Sequence, residues 1–123
     1  SYDIDMRTGD SHSLISSETG ERYNYAKDII IGDHVWIASH CILTKGVHLP
    51  RNSVVGTGSL VNKAFKEENT VLAGRPAKIV RRKVNWLRER IYRSGRIESA
   101  NDPNILNESA KTVNLNERLK RLG

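Results

Sequence analysis

The feature that most constrains this chain is a six-residue repeat that runs from Ile31 to Lys66. Written in sixes, the segment reads IGDHVW, IASHCI, LTKGVH, LPRNSV, VGTGSL and VNKAFK. The first position is always aliphatic, the second is mostly small or turn-forming, and the fifth is small in all but the last hexad. Ordinary strands alternate every two residues and do not produce this phase. An internal period of this kind is typical of a solenoid.

Each hexad is predicted to be a short strand followed by a bend. The aliphatic first residue points into a triangular prism, the small fifth residue leaves room at the corner, and the second residue lets the chain bend tightly. Three hexads complete one coil, so residues 31–48 and 49–66 form two coils. We therefore predict an all-β solenoid, a left-handed parallel β-helix. Because a solenoid usually needs at least about three repeats, we expect that N-terminal coils are missing or that self-association stabilises the fold.

The flanking segments extend this prediction. Residues 4–9 fit the hexad template once, starting at Ile4, and the polar run 13–28 is predicted to be a loop that projects from the coil. Its Arg22, Tyr23, Asn24 and Tyr25 are side-chain types that can stack on a sugar or bond to hydroxyls. Downstream, residues 71–80 are predicted to form a final partial coil with a turn at 73–76.

The C-terminal part of the chain has a different pattern. Val84, Leu87 and Ile91 recur at spacings of three and four, which predicts a helix over 84–92. After this helix the sequence is polar. We therefore divide the chain into a β-helix domain, 1–83, and a C-terminal helix with a polar tail, 84–123.

Charge and composition restrict the partners. The formal net charge is +6, and the stretch from Arg75 to Arg96 contains nine basic residues against Glu89 alone. Such a cluster either attracts the phosphates of a cofactor, a nucleic acid or a membrane surface, or is a solvated face. No stretch approaches the roughly 20 apolar residues that a membrane span needs, and no aromatic-interleaved motif indicates nucleic-acid binding. With a single cysteine, Cys41, and hence no internal disulfide framework, we expect a cytoplasmic protein without stable membrane insertion.

Several segments together resemble one known family. The stretches IGDHVWI (31–37), VGTGS (55–59), AGRPAK (73–78) and GDSH (9–12) are similar to those of the hexapeptide-repeat acyltransferases. The branch they resemble most contains the maltose, galactoside and capsule or O-antigen acetyltransferases. The resemblance covers about residues 4–83. It implies a homotrimer with active sites between subunits, acetyl-CoA in the groove between two coils, and acetyl transfer to a hydroxyl of a small-molecule sugar acceptor or polysaccharide precursor.

Acyl transfer from a thioester needs a base, a stabilised oxyanion and aligned substrates. A neutral imidazole suits the first task, and the family motif makes His12 the predicted base. Asp10, two residues earlier, would share a face with His12 in an extended strand. It would then orient the imidazole or bind the sugar, or it would instead cap its own turn. By resemblance, the backbone N–H of Ser39 would stabilise the oxyanion.

The resemblance also implies a set of coenzyme A contacts. Trp36 would wall the pantetheine channel, Lys63 would meet a phosphate, and the basic residues after Gly74 would hold the adenine and 3′-phosphate end. The predicted cofactor-binding residues are Trp36, Ala38, Ser39, Thr57, Gly58, Asn62, Lys63, Arg75, Pro76, Lys78 and Arg81.

Alternatives remain open at this point. A zinc site of the γ-type carbonic anhydrase kind would need converging histidines, but no two of His34, His40 and His48 lie one coil apart on one face. We therefore expect no metal, and we assign Cys41 to the core. The other candidates are an N-acyltransferase acting on an amino sugar or nucleotide sugar, and a non-catalytic β-helix fragment used for assembly.

Overall fold

A computed structural model of the chain describes residues 1–91, and their strands follow the predicted hexads. The strands are β1 (Asp5–Met6), β2 (Ile30–Ile31), β3 (Trp36–Ile37), β4 (Ile42–Leu43), β5 (His48–Leu49), β6 (Val54–Val55), β7 (Leu60–Val61), β8 (Thr70–Gly74) and β9 (Ala77–Arg82).

The strands stack into three sheets, in the orders β1-β4-β7, β2-β5 and β3-β6-β8-β9. Each sheet contains one pair of parallel strands whose partners lie 18 positions apart, as Ile31 and Leu49 do in one sheet and Ile37 and Val55 in another. Leu43 pairs with Val61 in the same way. A spacing of three hexads per coil confirms the predicted parallel β-helix.

The interior is formed by the first and fifth positions of the hexads. The buried members are Ile37, Cys41, Leu43, Val47, Leu49, Ser53, Val55, Ser59, Val61 and Phe65. Val35 is only partly buried, and Ile31 has 39% of its surface exposed. Its strand, β2, pairs with β5 alone within residues 1–91, so no further coil covers it.

The bend lies at the fourth position and not at the second, which corrects the prediction. The fourth residues that adopt a positive φ are His34, His40, Gly46, Asn52 and Gly58, with angles between 52° and 81°. Among non-glycine residues, Asn and His tolerate this left-handed region best. The second position is small for another reason: a Cβ on Gly32 would lie 2.8 Å from the backbone N of Arg51 on the next coil.

The N-terminal hexad has a different phase from the predicted one. Met6 pairs with Leu43, so Met6 occupies the first position and Ile4 the inward fifth position. Ile4 is partly buried against the core, as a fifth-position residue should be. Residues 13–28 form the predicted loop, with an antiparallel bridge between Ile15 and Arg22.

The prediction of a final partial coil is correct for its first strand only. β8 adds a parallel strand beside β6, but β9 turns back antiparallel on β8 after a cis Arg75–Pro76 bond. The hairpin therefore ends this sheet and does not continue the coil.

The predicted helix over 84–92 is absent from the part that the structure describes, residues 84–91. The Val84 N–H donates to the Asn69 carbonyl at 3.0 Å, and the Val84 carbonyl accepts from Asn52 Nδ2 at 3.1 Å. These bonds extend the stacking of the coils through Val84, and a helix of about nine residues gains little stability on its own. Tyr92 and the predicted tail lie outside the described residues, and the division at 83/84 stays a prediction.

Residues Ser1–Val84 form one compact unit, and Asn85–Ile91, which belong to a second unit, have no regular secondary structure. No helix within residues 1–91 is long and apolar enough to cross a bilayer.

Candidate functional site

His12 lies in a turn that leads from β1 into the 13–28 loop, and it is exposed. Ser11 has a φ of 65°, and the His12 N–H donates to the Asp10 carbonyl at 2.7 Å. Asp10 and His12 are therefore not on an extended strand, and the predicted shared strand face is wrong. A residue with positive φ between them reverses the chain direction, which the sequence alone did not indicate.

The carboxylate of Asp10 is bonded to the coil and to the loop. Its Oδ2 accepts from Lys45 Nζ at 2.6 Å and from Asn24 Nδ2 at 2.9 Å. The hydrogen bond from Lys45, followed by that from Asn24, lowers the pKa of Asp10 below its ordinary value. Asp10 thus anchors this turn to the corner after β4, and its role in orienting the imidazole stays a prediction.

Asn24 holds the His12 turn through hydrogen bonds that the sequence did not predict. It is 8% exposed, and it bonds to His12 and to Asp10 and Leu14, the residues two positions before and after His12. Its Nδ2 donates to the His12 carbonyl at 2.8 Å, while its Oδ1 accepts from the Leu14 N–H at 2.7 Å. In sequence it is one polar residue between two tyrosines, which suggests sugar contact but gives no signal of burial.

The neighbouring aromatic residues remain on the surface. Tyr23 is 67% exposed and Tyr25 is 60% exposed. The Arg22 guanidinium lies 5.2 Å from the centre of the Tyr25 ring. These side chains, unlike Asn24, are available to a ligand.

The corner between β3 and β4 contains Ala38 and Ser39. The Ala38 N–H donates to the Val55 carbonyl at 3.0 Å, and the Ser39 carbonyl accepts from the Gly58 N–H at 3.0 Å. Within residues 1–91 no acceptor is found for the Ser39 N–H. Trp36 lies beside this corner on the outer face of β3 and is 43% exposed. The corner therefore presents one unused backbone donor next to an exposed indole.

The same corner on the next coil holds Thr57 and Gly58. Gly58 has a φ of 72°, and its carbonyl accepts from Arg75 Nη1 at 3.2 Å. The structure thus brings Ser39, Gly58 and Arg75 into one stack, and Thr57 lies exposed at its edge.

The remaining predicted cofactor residues lie elsewhere on the surface. Asn62 and Lys63 follow β7, and the Lys63 ammonium is 5.1 Å from the centre of the Phe65 ring. Pro76 is in the β8–β9 turn, while Lys78 and Arg81 are exposed on β9. Lys63, Lys78 and Arg81 add positive charge to this surface.

Two histidines of the repeat, His34 and His40, lie at coil corners. Both have a positive φ, and His34 Nδ1 is 2.9 Å from Asn52 Oδ1. His40 Nδ1 is 3.6 Å from an Asp3 oxygen. Among residues 1–91 no three His, Cys, Asp or Glu side chains are grouped as metal ligands. Cys41 is a buried free thiol in the core.

Comparison with known proteins places this geometry in context. No protein-family model matches the chain. The chain is 43% identical over 88 residues to the polysialic acid O-acetyltransferase of Neisseria meningitidis, which covers 72% of this chain and 41% of that protein.

Two solved structures are similar over most of the chain. The polysialic acid O-acetyltransferase OatWY matches with a TM-score of 0.76 and 42% identity, over 88% of this chain and 49% of that one. A galactoside acetyltransferase in complex with coenzyme A matches with a TM-score of 0.54 and 32% identity, over 65% of this chain and 39% of that one.

The chain spans less than half the length of these relatives. The hexads and the parallel coils of this chain nevertheless agree with this similarity. This chain is therefore similar to the hexapeptide-repeat, left-handed β-helix proteins that include these O-acetyltransferases.

Proposed function

We propose that this chain is the repeat region of an acetyl-CoA-dependent O-acetyltransferase whose acceptor is a sugar or polysaccharide-precursor hydroxyl. The observation that carries the proposal is the His12 turn. A buried Asn24 and the Lys45–Asp10 pair hold its backbone, while His12 itself is exposed. A histidine kept accessible on a fixed backbone suits proton transfer from a bound hydroxyl.

In this proposal His12 accepts the proton of the acceptor hydroxyl as the hydroxyl oxygen attacks the thioester carbonyl. The Ser39 N–H donates to the oxygen that becomes negatively charged, and the unused state of that N–H supports the assignment. The intermediate then expels the coenzyme A sulfur, which takes the proton from His12 to become the free thiol, and the acetyl ester stays on the acceptor. Each step needs only groups that this chain contains and the two substrates.

Coenzyme A is proposed to follow the coil corners. Trp36, Ala38, Ser39, Thr57 and Gly58 offer an indole, small residues and backbone donors along a single edge of the prism. The exposed Lys63, Arg75, Lys78 and Arg81 offer the positive charge that phosphates require. The solved galactoside acetyltransferase that contains coenzyme A supports this cofactor for the family.

The proposed active site is shared between chains of a homotrimer. Ser39 lies at the corner before β4 and Lys45, which anchors the His12 turn, lies at the corner after it. At about 3.3 Å per extended residue, the side of the prism between them is roughly 15 to 20 Å long. One acetyl group does not reach both corners of one chain. A second chain that contributes the other corner resolves this separation.

The test uses acetyl-CoA and a panel of acceptors that includes polysialic acid oligomers, galactosides and maltose, with release of the coenzyme A thiol as readout. We expect transfer to at least one acceptor, and a loss of about 10²-fold or more in kcat for His12→Ala. His48→Ala on β5 is the histidine-matched control and should retain activity. If His12→Ala and the wild type release thiol at the same acceptor-dependent rate, the assignment of the base is wrong.

A further inference from the structure

Asn24 stands apart from the other buried polar residues of the described chain. Asn52, Ser53, Ser59 and Thr70 belong to the coils, whereas Asn24 lies in the loop between β1 and β2. Asn24 is 8% exposed although the tyrosines on either side are mostly exposed, and it is not part of the hydrophobic core cluster. Such a side chain organises the backbone around it.

The carboxamide of Asn24 uses both of its ends. Nδ2 donates to Asp10 Oδ2 at 2.9 Å and to the His12 carbonyl at 2.8 Å, and Oδ1 accepts from the Leu14 N–H at 2.7 Å. A flipped amide would place its oxygen against two acceptors, so the network permits one orientation. The bonds fall on alternate residues, 10, 12 and 14, and therefore hold the chain on both sides of His12.

The clamped turn is joined to the rigid coil. Lys45, which is 21% exposed, reaches Asp10 from the corner after β4 at 2.6 Å. At the base of the loop the Lys27 N–H donates to the Thr8 carbonyl at 2.9 Å. The stem of Lys27 also lies close over Gly46, since a Cβ built there would be 3.3 Å from Lys27 Cδ. Contacts from both limbs of the loop therefore fix the position of the His12 backbone relative to the β-helix.

We propose that Asn24 is a positioning residue for the His12 base, because its carboxamide fixes the backbone on both sides of His12 to the corner that carries Lys45. The inference rests on the proposed function for its catalytic consequence, and on the hydrogen bonds alone for its structural consequence. A displaced base lowers the rate of the chemical step and leaves coenzyme A binding intact, since a 1 Å error can reduce a rate by about 10²-fold.

The experiment compares Asn24→Ala with Ser16→Ala. Ser16 is the matched control because its Oγ also accepts loop amides, from Glu18 and Thr19, at the far end of the same loop. For Asn24→Ala we expect kcat to fall about 10- to 100-fold with the acetyl-CoA KM within about twofold. Hydrogen exchange of residues 10–14 should become about tenfold faster. Ser16→Ala should change neither quantity.

A second variant keeps the test decisive if the alanine chain is poorly folded. Asn24→Asp retains the shape and the Leu14 bond but removes both donors and faces Asp10 with a second carboxylate, so kcat should again fall. Unchanged exchange at residues 10–14 in both Asn24 variants would overturn the proposal. So would a kcat loss matched by an equal loss of coenzyme A affinity. If the wild type shows no acetyl transfer, the proposed function is wrong. The hydrogen-exchange comparison then tests on its own whether Asn24 fixes the His12 turn.

Discussion

At the scale of single residues, the spacing between coils decides which side chains the second hexad position accepts. A Cβ on Gly32 would meet the backbone N of Arg51 at 2.8 Å, and backbone cannot move away as a flexible side chain can. We expect Gly32→Ala to lower the free energy of unfolding by about 1 to 3 kcal/mol, the usual range for overpacking. Urea denaturation of the purified chain measures this loss.

Gly9→Ala is the matched control for this prediction. A Cβ on Gly9 would meet only Ala26 Cβ, at the ordinary contact distance of 3.7 Å. We expect its denaturation midpoint to stay close to that of the wild type. Equal effects of the two substitutions would show that the small second position reflects backbone flexibility and not the stacking of coils.

The Asp10–Lys45 pair makes a second residue-scale prediction, which concerns pH. The folded pKa of Asp10 is lowered from 3.8, so the pair stabilises the fold fully above that value and less as the pH falls through the lowered pKa. The stability difference between the wild type and Lys45→Met should therefore be constant near neutral pH and shrink in acid. Titration of the Asp10 carboxyl by NMR should show its pKa rising toward 3.8 in Lys45→Met. An unchanged pKa would contradict the prediction.

At the scale of elements, the corner between the β2-β5 and β3-β6 strands is built on Asn52. Asn52 is fully buried with a φ of 58°, and its Nδ2 donates to Asn69 Oδ1 at 2.6 Å and to the Val84 carbonyl at 3.1 Å. We expect Asn52→Gly to be clearly destabilised, because these buried bonds are lost. Asn52→Ala should be less stable than Asn52→Gly by about 1 kcal/mol or more, because alanine resists a positive φ.

Urea denaturation of the two Asn52 variants separates hydrogen bonding from backbone conformation. Asn62→Ala, at an exposed asparagine without a positive φ, is the control and should change stability by about 0.5 kcal/mol or less. An Asn52→Ala chain as stable as Asn52→Gly would mean that conformation contributes little at this corner.

The same elements show what the sequence could predict. The aliphatic first positions and the period of six were sufficient for the coils, because burial in a prism imposes them directly. The location of the bend could not be predicted from the sequence, since a positive φ, as at His34 or His40, favours particular residue types only weakly. The helix predicted after residue 83 was absent through Ile91, because three apolar residues at helical spacing do not provide a surface to pack against.

For the candidate site, the features that the sequence could not predict have a similar physical origin. The repeat indicated Ser39 and the corner residues, and the GDSH motif before the loop indicated His12. Asn24 was not recognised as a clamp, because its partners at positions 10, 12 and 14 come together only when the loop closes. Hydrogen bonds between two limbs of an irregular loop have no period that a sequence can reveal.

At the scale of the whole molecule, the described coils leave apolar side chains on the surface. Ile30 is 56% exposed, Trp36 is 43% exposed and Leu14 is 64% exposed, although each belongs to a different segment. In the proposed trimer the His12 turn of one chain and the Ser39 corner of another form one active site, and contact between chains would cover side chains of this kind.

This arrangement predicts complementation between two inactive variants. His12→Ala removes the base, and Thr57→Trp places a bulky ring at the edge of the Ser39 corner, so each variant alone should be inactive. Because the two corners of a site would come from different chains, mixed trimers would contain some sites with both corners intact. Unfolding and refolding the variants together should restore a measurable fraction of acetyl transfer. Refolding each variant alone is the control, and light scattering should give three times the 13.9 kDa chain mass. A monomer, or a mixed sample as inactive as its components, would show that each chain holds its own site.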